Sequence, residues 1–148
     1  MLKHFFFTIC LGFAATLASA DGHLVRVEAA GSVAEAADRL ETAVTGAGAN
    51  VFARVNHGAG AASVDMGLDD AELLVFGNPK LGTPALQADI RVGLILPLRV
   101  LVYDDGGQTV FLYEDPAAMM AAYDVPADAE VLKMMTGALG NLTSAAAN

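Results

Sequence analysis

The sequence has 148 residues, a formal net charge of −9 and a single cysteine. A chain this acidic repels nucleic acid and anionic membranes, and it has no basic cluster, so we expect no nucleic-acid partner. One cysteine cannot form an internal disulfide or a zinc site made of thiolates, which argues against a disulfide scaffold and a zinc-ribbon protein. The length is sufficient for one domain with one hydrophobic core.

Residues 1–20 have the pattern of a secretory signal peptide. Lys3 precedes an apolar stretch at 5–13, and residues 18–20, Ala-Ser-Ala, match the small-residue cleavage pattern. The apolar stretch is short for a membrane span, which needs about 20 residues. We therefore expect cleavage after Ala20, a periplasmic or secreted protein without cysteine, and no membrane association after cleavage.

A strand is predicted at 24–28, followed by a helix that begins with a capping box. Ser32 stands three residues before Glu35, a spacing that lets each side chain bond to the other residue's backbone N–H. Apolar residues then recur at helical spacing as far as Gly46, where the helix is expected to end.

A second strand is predicted at 50–57. Strict alternation places Val51, Ala53 and Val55 on one of its faces. The small-residue segment at 57–64 is expected to form a loop with one helical turn.

The stretch 73–84 reads as a buried strand, a tight loop and a helix start. Asn78-Pro79 stops the strand, because proline cannot donate to a strand ladder. Thr83-Pro84 fits an N-cap followed by a first-turn proline, which would place Lys80 inside the loop.

Strands are predicted at 98–103 and 109–113, joined by an acidic, glycine-containing turn typical of a hairpin. Asp115 is expected to begin a short helix and Asp128 to cap a last one. Residues 144–148 are predicted to be a flexible tail, which leaves 21–143 as one domain. The resulting element order indicates an α+β fold, mostly an antiparallel sheet with helices packed on one face.

Four patches resemble the domain-of-unknown-function 302 family of bacteria and archaea. The strongest is Phe-Gly-Asn-Pro-Lys-Leu-Gly-Thr-Pro at 76–84. The others are Asn-His followed by small residues at 56–62, the Leu-Pro-led strand at 96–103, and Tyr-Glu-Asp-Pro at 113–116. The resemblance implies a β-α-β(4)-α fold of the TATA-binding-protein-like class, often found as a homodimer. It implies no settled activity.

Lys80, Gly82 and Thr83, with Asn78 before them, form the first candidate site. A lysine beside a helix N-terminus favours a small anionic ligand. The Gly-Lys-Ser/Thr order of a phosphate-binding P-loop is missing. The alternative is a rigid turn in which Asn78 and Thr83 satisfy local backbone groups.

His57 is the second candidate, because it follows a strand and precedes a loop of small residues. It could bind a ligand or a metal, or act as a general base near neutral pH. The alternative is a histidine that only bonds to the loop backbone. If the two loops meet, His57 would join Asn78 and Lys80 in one polar cluster.

The sequence contains no complete catalytic set, which argues against an enzyme. We expect an exported module that binds a small ligand or a protein, with no cofactor. The alternative is an enzyme or a redox, metal or haem accessory protein that uses His57 and Lys80.

Overall fold

Five antiparallel strands in the order β1-β5-β4-β3-β2 form the sheet of this protein, seen in a computed structural model that describes residues 23–148. Along the chain, the elements are β1 (Leu24–Glu28), α1 (Val33–Gly46), β2 (Asn50–Asn56), α2 (His57–Ala62), β3 (Ala71–Gly77), α3 (Pro79–Ala88), a 3-10 helix (Ile90–Leu94), β4 (Leu98–Asp105), β5 (Gln108–Glu114), α4 (Pro116–Met120) and α5 (Glu130–Ala146). This order confirms the predicted α+β, β-α-β(4)-α architecture. The predicted signal segment lies outside the described residues.

The core lies between the sheet and the helices α1, α3 and α5. Alternate residues of the central strands point into it, including Leu74, Val100 and Phe111, each at most 1% exposed. Within residues 23–148, every helix is too short or too polar to cross a membrane.

Helix α1 begins as predicted. The Ser32 hydroxyl accepts the Glu35 N–H, and the Glu35 carboxylate accepts the Ser32 N–H at 2.9 Å. These two bonds satisfy N–H groups that the first turn leaves without helical partners. The helix buries Leu40 and Val44 completely against the sheet.

The faces of β2 differ from the prediction because a bulge interrupts strict alternation. Val51 pairs with Phe76 and Ala53 with Val75, with one extra residue, Phe52, between them. An extra residue shifts every later side chain to the other face. Val51 therefore packs against the core, while Ala53 lies on the opposite face of the sheet.

Helix α3 begins five residues earlier than predicted. Asn78 is the N-cap, with its side chain accepting the Lys80 N–H, and Pro79 takes the first helical position. Pro84 lies inside the helix. The N-cap and first-turn proline rule applies, but to the earlier Asn-Pro pair and not to Thr83-Pro84.

The end of the chain also differs from the prediction. Helix α5 has no side-chain cap from Asp128, and it continues through the predicted tail to Ala146, which is 1% exposed. The Ala146 carbonyl accepts a hydrogen bond from Arg39 Nε at 2.9 Å, and the Ala147 carbonyl accepts the Ala30 N–H at 2.8 Å. These bonds fix the end of the last helix to α1 and to the β1–α1 connection.

The sheet face opposite the helices is also rich in apolar residues. The strand register places there five partly buried side chains that belong to no part of the core: Leu24, Leu73, Val75, Leu101 and Leu112. We call these five residues the open sheet face.

Candidate functional site

The structure does not bring the two predicted candidate sites together. His57 follows the end of β2 that pairs with the start of β3, where Asn56 lies opposite Glu72. The segment from Asn78 to Thr83 follows the other end of β3, where Asn50 lies opposite Gly77. At about 3.4 Å per residue, the strand separates them by on the order of 20 Å. The two loops therefore do not meet, so the condition for a polar cluster of His57 with Asn78 and Lys80 is not fulfilled.

His57 is the exposed first residue of α2. The Asn56 side chain before it accepts the Ala59 N–H at 2.7 Å and donates to Glu72 at 3.3 Å, so this asparagine caps α2 and fastens it to β3. In the described part of the chain, no group of three His, Cys, Asp or Glu side chains is placed to hold a metal. Among the residues from 23 to 148, His57 therefore belongs to no such three-residue group.

Asn78 and Lys80 have separate surroundings. The Asn78 side chain is used at both ends, because it accepts the Lys80 N–H at 2.9 Å and donates to the Gly48 carbonyl at 3.3 Å. It thus occupies the helix N-terminus where an anion would bind. The Lys80 side chain is exposed and does not line the neighbouring cavity.

A cavity of about 530 Å³ opens at this end of the sheet, between α3 and α5. The ends of β2, β3 and β4 form its floor, and the turn after α1 closes one side. Its apolar lining includes Phe52, Phe76, Leu81, Leu86, Met135 and Leu142. Among the described residues, no charged side chain lines it.

The bulge in β2 places Phe52 at the cavity mouth. This side chain is 59% exposed, and a Cβ built on Gly77 would lie 3.4 Å from its ring. A bulge commonly turns one side chain away from the ladder. An exposed aromatic ring over a glycine leaves a large apolar surface in contact with solvent.

Glycines keep the cavity open. Gly82 of α3 lines it, and a Cβ added there would meet no atom within 4 Å. Gly93 of the 3-10 helix also lines it, and an added Cβ there would come within 3.3 Å of Leu86 on α3. Of the predicted site residues, the structure thus brings Asn78, Gly82 and Thr83 to one cavity, and leaves Lys80 and His57 outside it.

Two polar side chains at the cavity are free to meet a ligand. Thr83 of α3 and Asn141 of α5 both line it and both are exposed. Within residues 23–148, neither side chain has a hydrogen-bond partner. Asn141 could not be recognised as a site residue from the sequence, because it stands beside the buried face of α5 as an ordinary surface residue would.

A carboxylate fixes the wall that carries Gly93. Asp89, between α3 and the 3-10 helix, is 8% exposed and accepts hydrogen bonds from the Arg91 side chain and from the Asp124 N–H. The Arg91 guanidinium, followed by the Asp124 N–H, holds the pKa of Asp89 well below its usual range. This clamp ties the cavity wall to the segment between α4 and α5.

Comparisons with known proteins give a family and a fold. The sequence profile described as "Domain of unknown function DUF302" matches residues 25–142. A solved structure, the "uncharacterized conserved protein DUF302 from Bacillus stearothermophilus", superposes with a TM-score of 0.78 at 19% identity, covering 84% of this chain and 98% of that one. At this identity, the likeness shows a shared fold.

Curated relatives are named as ion channels and not as proteins of unknown function. A protein of Brucella suis biovar 1 (strain 1330) named "Fluoride-specific ion channel FluC 1" is 40% identical over 129 residues, which is 86% of this chain and 51% of that protein. A protein of the same name from Brucella abortus biovar 1 (strain 9-941) is also 40% identical over 129 residues, 48% of its length. The chain spans about half the length of these relatives.

Proposed function

The chain belongs to the DUF302 family, described as a domain of unknown function, and from that premise we propose that it is an exported module that binds small, mainly apolar molecules in the cavity between α3 and α5. The main observation that supports this proposal is the cavity itself. Its volume of about 530 Å³ falls within the roughly 300–1,000 Å³ of typical ligand sites. Export is supported by the signal-peptide pattern of residues 1–20.

The lining supports an apolar ligand over the small anion expected from Lys80. Burying a charge without a partner is costly, and no lysine or arginine of the described residues lines the cavity. Contact with apolar side chains makes the binding free energy more favourable by about 25 cal/mol per Å² of apolar surface removed from water. An uncharged ligand therefore fits this site better than an anion does.

Fluorescence of N-phenyl-1-naphthylamine, an uncharged probe that brightens in apolar surroundings, tests the proposal. Gly82→Leu adds a side chain where an added Cβ has open space, so we expect it to fill the cavity and lower probe affinity at least about tenfold. Gly137→Leu is the matched control, because this glycine also lies in a helix, has equal space and does not line the cavity. Equal probe binding by both variants would contradict the proposal.

A second copy of the chain is proposed as a partner at the open sheet face. The charged groups beside that face pair within the chain: Arg26 with Glu28 and Asp105, and Arg99 with Glu114. This nearly balanced set contrasts with the net charge of −9 of the whole chain. Two copies that meet through this face would therefore bring little net charge together.

Light scattering over a dilution series tests the dimer. We expect Leu101→Lys, which places a charge at the centre of the open sheet face, to give a monomer. Leu94→Lys is the control, because Leu94 is 83% exposed on the 3-10 helix, away from that face. A Leu101→Lys protein that stays dimeric would sink the proposed interface.

The Brucella relatives favour a second candidate function, as a domain that accompanies a membrane transport protein. These relatives are named fluoride-specific ion channels and are about twice as long as the matched segment. Because the described residues here form an α+β domain without a membrane-spanning helix, we propose that the matched half is a non-conducting domain.

Fluoride tolerance of bacteria tests this second candidate. We expect the chain alone to give no tolerance to a strain whose fluoride exporter is deleted. Residues 23–148 placed in exchange for the matched segment of the Brucella suis protein should preserve the tolerance that this protein confers. Lost tolerance, with the fusion still inserted in the membrane, would contradict a shared accessory role.

A further inference from the structure

We propose that the cavity selects amphiphiles with an uncharged hydrogen-bonding head, held at the mouth by Asn141 and Thr83 while the apolar body lies inside. This inference rests on the proposed function and adds the chemical class of the ligand. Its basis is the division of the lining into an apolar interior and two polar side chains without partners.

The positions of Asn141 and Thr83 give the head group its place. Thr83 stands on α3 and Asn141 on α5, so the two reach the cavity from its two helical walls. Both are exposed, which places them where the cavity meets solvent. An amide and a hydroxyl both donate and accept hydrogen bonds, so together they can satisfy an alcohol, an ester or an amide.

Asn78, the third polar residue of the lining, does not compete for the head. Its carbonyl oxygen accepts the Lys80 N–H and its amide nitrogen donates to the Gly48 carbonyl. It therefore serves the fold, and the two residues without partners remain for the ligand.

The charges of the cavity lining and of the whole chain disfavour amphiphiles with a charged head group. A carboxylate head would enter a lining without a cation, on a protein with a net charge of −9. A quaternary ammonium head would find no carboxylate in the lining and would lose hydration without a counter-charge. An uncharged head escapes both costs.

Displacement of bound N-phenyl-1-naphthylamine by three ligands of equal chain length tests the selection. We expect 1-decanol to displace the probe at a concentration at least about tenfold lower than decanoate or decyltrimethylammonium, all kept below micelle formation. If either ion displaces the probe as well as decanol does, the head-group inference fails while the cavity stands. If the probe never binds, the proposed function fails first.

Two variants locate the head group. Thr83→Val keeps the side-chain shape and Asn141→Leu keeps its approximate size, and neither removes a hydrogen bond of the fold. We expect each to weaken decanol about threefold to tenfold while probe affinity stays constant, because one hydrogen bond is lost. Unchanged decanol affinity in both variants would overturn the assignment of the head to this mouth.

Discussion

The carboxylate of Asp89 accepts a hydrogen bond from the backbone N–H of Asp124, 35 positions later in the chain, at 3.0 Å. The same carboxylate accepts the Arg91 side chain at 2.6 Å. One buried side chain therefore holds together the end of α3, the start of the 3-10 helix and the segment before α5. The first two of these carry Leu86 and Gly93, which line the cavity.

Stability in acid should depend on Asp89. Its pKa in the folded protein lies below its usual value, so the unfolded state binds more protons between the two values and stability rises with pH there. The contribution is complete above the ordinary aspartate pKa of about 3.9 and is lost as pH falls towards the folded value. We expect Asp89→Asn to lower the melting temperature at pH 7 and to reduce its fall between about pH 5 and pH 2.

Asp128→Asn is the control for that experiment, because Asp128 is exposed and caps no helix. Thermal unfolding followed by circular dichroism at several pH values compares the two variants. Identical acid dependence in both would show that Asp89 does not have the assigned role.

Among the charged residues near the surface, Arg54 should give the largest loss of folding stability when its charge is removed. Its guanidinium bonds to Glu72, whose side chain is 9% exposed, and also to Asp38 on α1. The hydrogen bond to Glu72, and to a smaller extent the one to Asp38, raises the pKa of Arg54 above its ordinary value. We expect Arg54→Met to lower the free energy of unfolding by about 1–3 kcal/mol, because it leaves the Glu72 carboxylate with little compensation.

The double variant Arg54→Met, Glu72→Met distinguishes the interaction energy of the ion pair from the cost of leaving Glu72 buried without a partner. Removing both charges should recover part of the loss, and urea unfolding of the wild type, both single variants and the double variant measures the coupling. Strictly additive effects would refute the pairing as the cause.

Two glycines should respond to alanine in opposite directions. Gly137 lies in α5 with open space around an added Cβ, so Gly137→Ala should stabilise the protein by about 0.5–1 kcal/mol. Gly48 has equal space but a φ of +76°, so Gly48→Ala should destabilise by about 1–2 kcal/mol. Chemical denaturation checks both, and a shared sign would contradict the backbone argument.

Deletion of residues 144–148 should destabilise the protein. It removes the Ala146 carbonyl that accepts from Arg39 and the Ala147 carbonyl that accepts from Ala30. Losing two such bonds costs about 1–3 kcal/mol. Deleting only Asn148 is the control and should leave the melting temperature unchanged; a flexible tail would make the two deletions equal.

The sequence predicts features whose cause lies within a few residues. The capping box of Ser32 and Glu35 and the hairpin turn, with Gly106 and Gly107 at φ of +65° and +97°, appear as expected. Turn and cap chemistry acts locally, so it can be recognised without knowing the rest of the fold.

Features that depend on distant contacts were missed. The bulge at Phe52 results from pairing with β3, and the choice of Asn78 over Thr83 as N-cap is accompanied by a contact with Gly48. The cavity combines residues from Ala47 to Leu142, so no single stretch contains its pattern. The motif that carries the family resemblance did mark one wall of it.

The strand order also sets a sequence of events in folding. Strand β1 pairs only with β5, where Leu24 lies opposite Glu114. The first strand of the described chain therefore cannot join the sheet until the last strand is present. Such distant pairing must close a long loop before any contact compensates for it, which slows folding. A chain emerging from the ribosome therefore completes its sheet only after β5 has been synthesised.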